Sequence, residues 1–353
     1  MVRVHSSRLK RLVTLAMTAT LLAVNGPVVV AFAERMIHSY VINTQGYKEK
    51  YGHWSILPVA AKYRINAVHA ALLYTGKVLI VAGSGNSQGN FDAGRFESVV
   101  WNPANNTFKK IHTPSDMFCA GQQFLPDGKL LIAGGTTRYE VLAPNVKRAA
   151  GVMLIQNQST TGRAFTLPSG TRLRAPNGQI YVSTVAVTIP PAKKQYGANG
   201  ALEVIPSGIE TWVHAVTKGK RPIVTTMTRF TILGRHPVAA GALYGATNAI
   251  NMDQEDFWGS DKSFIFNPAT ESYERVSNLN IARWYPSLVG LSNGNVLAVS
   301  GLNQFGQMIN GQTEEFSPVT NKWTLTPKLT RVFPTYPSLF LMTDGNLFFS
   351  GSN

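Results

Sequence analysis

The 353-residue sequence holds a single cysteine, Cys119, so no intramolecular disulfide can form. Charge is scarce as well. Only 14% of residues are Asp, Glu, Lys or Arg, and 18 acidic residues face 33 basic ones for a net charge of +15. Low charge beside 44% hydrophobic residues excludes a disordered chain. No helix-turn-helix or zinc-finger spacing occurs, so the basic surplus does not point to nucleic acid. It suits an anionic cell-surface polymer, or solubility alone. Beyond residue 33 no apolar run is long enough to span a bilayer.

What is present in quantity is turn chemistry: 31 Gly and 19 Pro, which suit one large all-β domain or two smaller ones. Residues 1–33 read as an export segment. Arg3, Arg8, Lys10 and Arg11 form a basic start, residues 12–24 are apolar, and Ala31, Phe32 and Ala33 make a small-x-small cleavage pattern before Glu34. The alternative is an uncleaved anchor over residues 12–33, interrupted by Asn25, Gly26 and Pro27. Either way the expected location is extracellular or cell-surface, with membrane contact only through residues 1–33. Removing them lowers the net charge to +11. Residues 34–62 form a short arm.

From residue 63 to 353 a pattern repeats. Strand, glycine turn, strand and glycine stop recur at residues 69–84, 122–135, 287–301 and 338–351, each reading as a β-hairpin. A second hairpin signature is an aromatic, a proline two residues on, and an aromatic five residues after that. It occurs at Trp101–Phe108, Phe266–Tyr273 and Phe316–Trp323. Turn glycines Gly76 and Gly128 lie 52 residues apart, and Gly294 and Gly345 lie 51 apart. A kelch blade repeats at about 50 residues. The predicted fold is therefore all-β: a kelch-type β-propeller, incomplete, with about three and a half blades visible where about four to eight close a ring. The wider gap from Gly128 to Gly294 places a large insertion in the second blade, at about residues 139–259. It reads as a loop-rich, partly β excursion, with turns at residues 175–178 and 197–200.

Cys119 stands nine residues before Gly128, and Tyr285 nine before Gly294. Equivalent positions on the inner strands of neighbouring blades are close in space however far apart in sequence. A thiol beside a phenol ring can be joined oxidatively to a thioether when a redox metal is present. The plainer alternative makes Cys119 a small buried apolar residue, and Trp284 and Tyr285 core aromatics. His69 reads as a hydrogen-bonded structural residue, and His112, His214 and His236 lack paired ligand spacing.

These motifs resemble the copper radical oxidases, the galactose oxidase and glyoxal oxidase family, most nearly the bacterial glyoxal oxidase-like proteins. Asp116-Met-Phe-Cys-Ala-Gly121 is similar to the family's cross-linking cysteine motif, and Ala282-Arg-Trp-Tyr-Pro-Ser287 to its radical tyrosine motif. Residues 68–73, 80–86 and 333–337 look family-like too, and the likeness covers about residues 54–353. The resemblance implies copper, with Tyr285 as ligand and radical site joined to Cys119 by a thioether, and Trp284 shielding the modified ring. It implies oxidation of small aldehydes or glycan-derived carbonyls or alcohols, with O₂ reduced to H₂O₂. The family's Tyr-His pair and further histidine are not in this sequence, nor are its later blades and C-terminal β-sandwich. The expectation is a chain truncated relative to the family and inactive alone. The alternative function is a non-catalytic kelch propeller that binds surface glycans or proteins.

Overall fold

The computed structural model describes residues 5–52, 54, 56–196, 201–239 and 241–351. Arg3 of the basic start, the turn expected at residues 197–200 and the last two residues lie outside the described residues. The chain divides into two units, residues 1–61 and 62–353.

The first unit is helical: α1 spans His5–Asn43 and α2 spans Gln45–Tyr51. The first part of the arm, from residue 34 to Tyr51, is thus largely helical. Asn25, Gly26 and Pro27, which interrupt the apolar run, lie within α1. A proline deletes one N–H from the ladder, a local defect that a 39-residue helix carries. Among the described residues no helix is long and apolar enough to cross a membrane.

The second unit is built from β-strands. Strands β1 (His69–Leu72), β2 (Val78–Gly83), β3 (Glu97–Asn102) and β4 (Thr107–His112) form a four-stranded antiparallel sheet in chain order. A second such sheet joins β5 (Gly121–Phe124) and β6 (Leu130–Ala133) to strands Ser263–Asn267 and Ser272–Arg275. The third holds Ser287–Gly290, Val296–Val299, Glu314–Ser317 and Lys322–Leu325, and a hairpin of Leu339–Leu341 with Leu347–Phe349 follows.

Local chemistry explains the recurrence. In three hairpins a side-chain carbonyl or carboxylate caps the turn: Asp127 accepts from the N–H of Lys129, Asn293 from that of Asn295, and Asp344 from that of Asn346. In the second hairpins the two aromatics of each signature are direct cross-strand partners: Trp101 with Phe108, Phe266 with Tyr273, Phe316 with Trp323.

The middle sheet is apolar on both faces. Leu130, Ile132, Phe264 and Phe266 pack against Leu79, Val81 and Val100 of the first sheet. Leu131, Ala133 and Ile265 pack against Val296, Ala298 and Phe316 of the third. Each such large side chain contributes about 1.5–3 kcal/mol on leaving water. Three sheets thus stack face to face in chain order.

Between β6 and Ser263, the chain does more than wander. A short stem pairs β7 (Thr136–Arg138) with Trp258–Gly259. Beyond it, β8 (Arg148–Asn157) and strands Ser207–Lys218, Ile180–Ser183, Arg172–Arg174, Thr228–Ile232 and Leu243–Thr247 form a sheet that closes on itself, since Ser207–Lys218 pairs with β8. The loop-rich excursion expected from the sequence is instead a closed six-stranded barrel. Met153, Leu173, Tyr181, Val213 and Phe230 fill it, all fully buried.

Candidate functional site

The middle and third sheets each begin after a residue in the left-handed backbone region: Cys119 with φ 60° and Tyr285 with φ 60°. Tyr336, nine residues before Gly345, repeats this with φ 47°. The three are linked in series. The N–H of Tyr285 donates to the Cys119 carbonyl at 3.0 Å, and the N–H of Tyr336 donates to the Tyr285 carbonyl at 2.9 Å. Residues 119, 285 and 336 are therefore neighbours, although 166 and 51 positions separate them.

The side chains converge as well. The Cys119 thiol and the Tyr285 phenol lie close enough to shift each other's protonation, and both residues pack in one apolar cluster. The Tyr285 ring stacks on Trp284 at 3.8 Å between centroids and on Tyr336 at 4.4 Å. Phe257 extends the column, 4.5 Å from Trp284 and within 6° of parallel. Four aromatic rings thus stack continuously, with the phenol beside the thiol third in line. At the far end the Tyr336 hydroxyl lies 3.3 Å from His69 Nε2 and donates to the Ala120 carbonyl.

A rigid frame holds this column. Arg283, fully buried, pairs with the buried Glu314 at 3.1 Å and donates to the carbonyls of Ser300 and Gln312. Its own backbone N–H donates to Ser260, and its carbonyl accepts from Gly135. Trp284 Nε1 donates to Thr136 Oγ1, which donates onward to the Phe118 carbonyl. That relay ties the Tyr285 segment to the Cys119 segment. Asp116 shapes the cysteine turn by accepting from the N–H groups of Ser84 and Phe118. Gly301 has φ 102°, and a Cβ there would lie 2.6 Å from the Trp284 carbonyl, so only glycine fits.

Burial dominates the electrostatics. It pushes the Cys119 thiol up to about 12, partly opposed by the Tyr285 side chain and reinforced by the charge of Asp116. Burial raises the Tyr285 phenol, and Cys119 adds to this. Tyr336 is raised chiefly by burial, and Asp116 by burial against three hydrogen bonds. Burial lowers His69 to about 4, so its imidazole is neutral at pH 7. At rest the cluster is thus fully protonated at its thiol and phenols.

The three residues singled out in the sequence, Cys119, Trp284 and Tyr285, come together. Tyr336, Phe257 and His69 complete the cluster. The signal for Tyr336 was available, since it shares the nine-residue offset from its turn glycine. Phe257 carries no such signal, because it returns from the end of the barrel excursion. Copper is the metal the family likeness implies, and the donors here fit it only in part. Among the described residues no group of three or more His, Cys, Asp or Glu is placed to hold a metal ion. The cluster offers phenols and one imidazole, where a square-based Cu(II) site takes imidazole nitrogens in its plane. His214 lies on the barrel's outer wall, and His112 on β4.

Fold and cluster together define a β-sheet unit that sets a buried thiol beside a stacked phenol. Residues 148–250 match a family model described as the GlxA beta barrel domain. This match covers the closed barrel and supports, at family level, the likeness to copper radical oxidases. The chain is also similar to a solved structure described as a novel fungal alcohol oxidase with catalytic diversity among the AA5 family, in complex with copper. That similarity has 13% identity and a TM-score of 0.24, and covers 81% of this chain and 70% of the other. No curated protein matches.

Proposed function

We propose that the chain is an exported, glyoxal oxidase-like copper radical oxidase in which Cys119 and Tyr285 form the thioether radical cofactor and Tyr285 binds copper. The observation that carries this is the buried thiol packed beside the phenol, with Trp284 stacked on the phenol ring. Its substrates are small aldehydes or glycan-derived carbonyls and alcohols, with O₂ reduced to H₂O₂. In this reading the three sheets are successive propeller blades and the column of rings lies at their axis.

The chain's own residues supply three things. The left-handed turn at Cys119 sets the residue beside the Tyr285 side chain. Stacking between Trp284 and Tyr336 keeps that ring in one plane and excludes water from both faces. The high thiol and phenol values keep both protonated until an oxidant arrives. Cross-linking then removes one hydrogen from sulfur and one from the ring carbon ortho to the hydroxyl, forms the C–S bond, and passes two electrons and two protons to O₂.

The test is intact mass with peptide mapping after exposure to Cu(II) and O₂. A loss of two hydrogens, with the Cys119 and Tyr285 peptides joined and resistant to reductant, is expected. A free thiol at Cys119 in folded, copper-treated protein sinks the reading. The second reading, a non-catalytic propeller that binds surface glycans or proteins, then takes its place. The incomplete donor set is what favours that alternative.

A further inference from the structure

Where the barrel meets its stem lies a cleft of about 480 Å³, within the size range of small-ligand sites. Along strand Ser207–Lys218, Val213 and Ala215 point into the barrel, so Trp212 and His214 face outward into this cleft. The stem supplies the opposite wall, with Arg138, Glu255 and Trp258. The Arg138 guanidinium lies 4.6 Å over the Trp258 ring and 5.9 Å from that of Trp212. None of these residues belongs to the Cys119–Tyr285 cluster.

The charge count is unbalanced. Glu255 is the one carboxylate on the wall, and it pairs with Arg138. Lys147 and Arg148 also line the cleft, and the bonds they make go to neutral carbonyls, of Pro144 and Ala215. Burial, reinforced by Arg148 and Arg138 against Glu255, lowers His214, which leaves a neutral ring able to donate or accept. The Trp258 indole N–H is buried without an acceptor in the protein. The wall therefore combines two unbalanced cations, a donor without a partner, and a half-buried indole, Trp212.

We propose that this cleft binds a carboxylate-bearing saccharide, its ring against Trp212 and its carboxylate on Lys147 and Arg148. Indole surfaces take the C–H face of a sugar ring, and charge-assisted hydrogen bonds from Arg and Lys take its carboxylate. Binding here requires neither copper nor the thioether, so it stands whether or not the oxidase reading does.

The experiment is calorimetric and tryptophan-fluorescence titration of the full chain with trigalacturonate. Maltotriose serves as the neutral saccharide and citrate as the carboxylate without a sugar ring. Saturable binding of trigalacturonate that weakens with added salt is expected. Lys147→Glu, at an exposed position, should weaken it by about tenfold or more with an unchanged circular dichroism spectrum. Trp212→Ala should weaken both saccharide affinity and fluorescence response. Maltotriose or citrate binding as tightly as trigalacturonate overturns the proposal. So does an unchanged affinity in Lys147→Glu, or no saturation up to about 10 mM ligand.

Discussion

Cys119, Tyr285 and Tyr336 each hold a positive φ that a residue with a Cβ enters at a cost of about 1–3 kcal/mol. The series of N–H···O bonds from 336 to 285 to 119 holds them there, and with them the thiol and the stacked rings. Cys119→Ser keeps the backbone and the packing volume but removes the nucleophilic sulfur. The variant should fold with a melting temperature near that of the parent and show no mass loss after Cu(II) and O₂ treatment. His69 gives a second expectation. Its folded value of about 4 lies below the ordinary 6.5, so between these pH values the unfolded chain binds more protons. Stability from this group is complete above pH 6.5 and is lost as pH falls through 4. Denaturant titrations across that window should show a shallower pH slope for His69→Gln than for the parent. The pairing of Cys119 with Tyr285 was legible in the sequence because both the turn glycine and the offset repeat. His69 was legible as a hydrogen-bonded structural residue, but its partner was not, being a hydroxyl 267 positions away that only folding brings near.

At the scale of elements, the segment bearing Tyr285 is anchored by one buried ion pair. Removing a single partner of such a pair costs about 3–5 kcal/mol, because the other charge stays buried and uncompensated. Glu314→Ala should therefore destabilise the protein by that amount in urea melts, and the double variant with Arg283→Met should recover part of the loss. Gly301→Ala, which forces a Cβ onto the Trp284 carbonyl, should cost about 1–3 kcal/mol and broaden the near-ultraviolet signal of the ring column. Hairpins were readable because each carries its turn chemistry within a few residues, as Asp127, Gly128 and Lys129 do. The barrel was not. Its strands are as short as three residues, and its closing pairs, such as Ser207 with Asn157, join positions about 50 residues apart with no local mark of their meeting.

For the whole second unit, the cores matter most. The barrel interior, from Ala149 to Met252, shares no residue with the cores between the sheets. Calorimetry should accordingly resolve two transitions, and Phe230→Ala should lower only the barrel's, by about 3–5 kcal/mol. The barrel's position also governs how the middle sheet can be assembled. Its first two strands and its last two are separated by 129 residues, between Ala133 and Ser263. Closing so long a loop from an extended chain is entropically slow. If the barrel folds first, its stem brings Arg138 against Trp258 and shortens the remaining loop to a handful of residues. By the logarithmic loop-length law this removes about 2 kcal/mol of closure entropy. The barrel then works as a kinetic clasp: once its strands have closed, the stem presents the late strands to β6 already in reach.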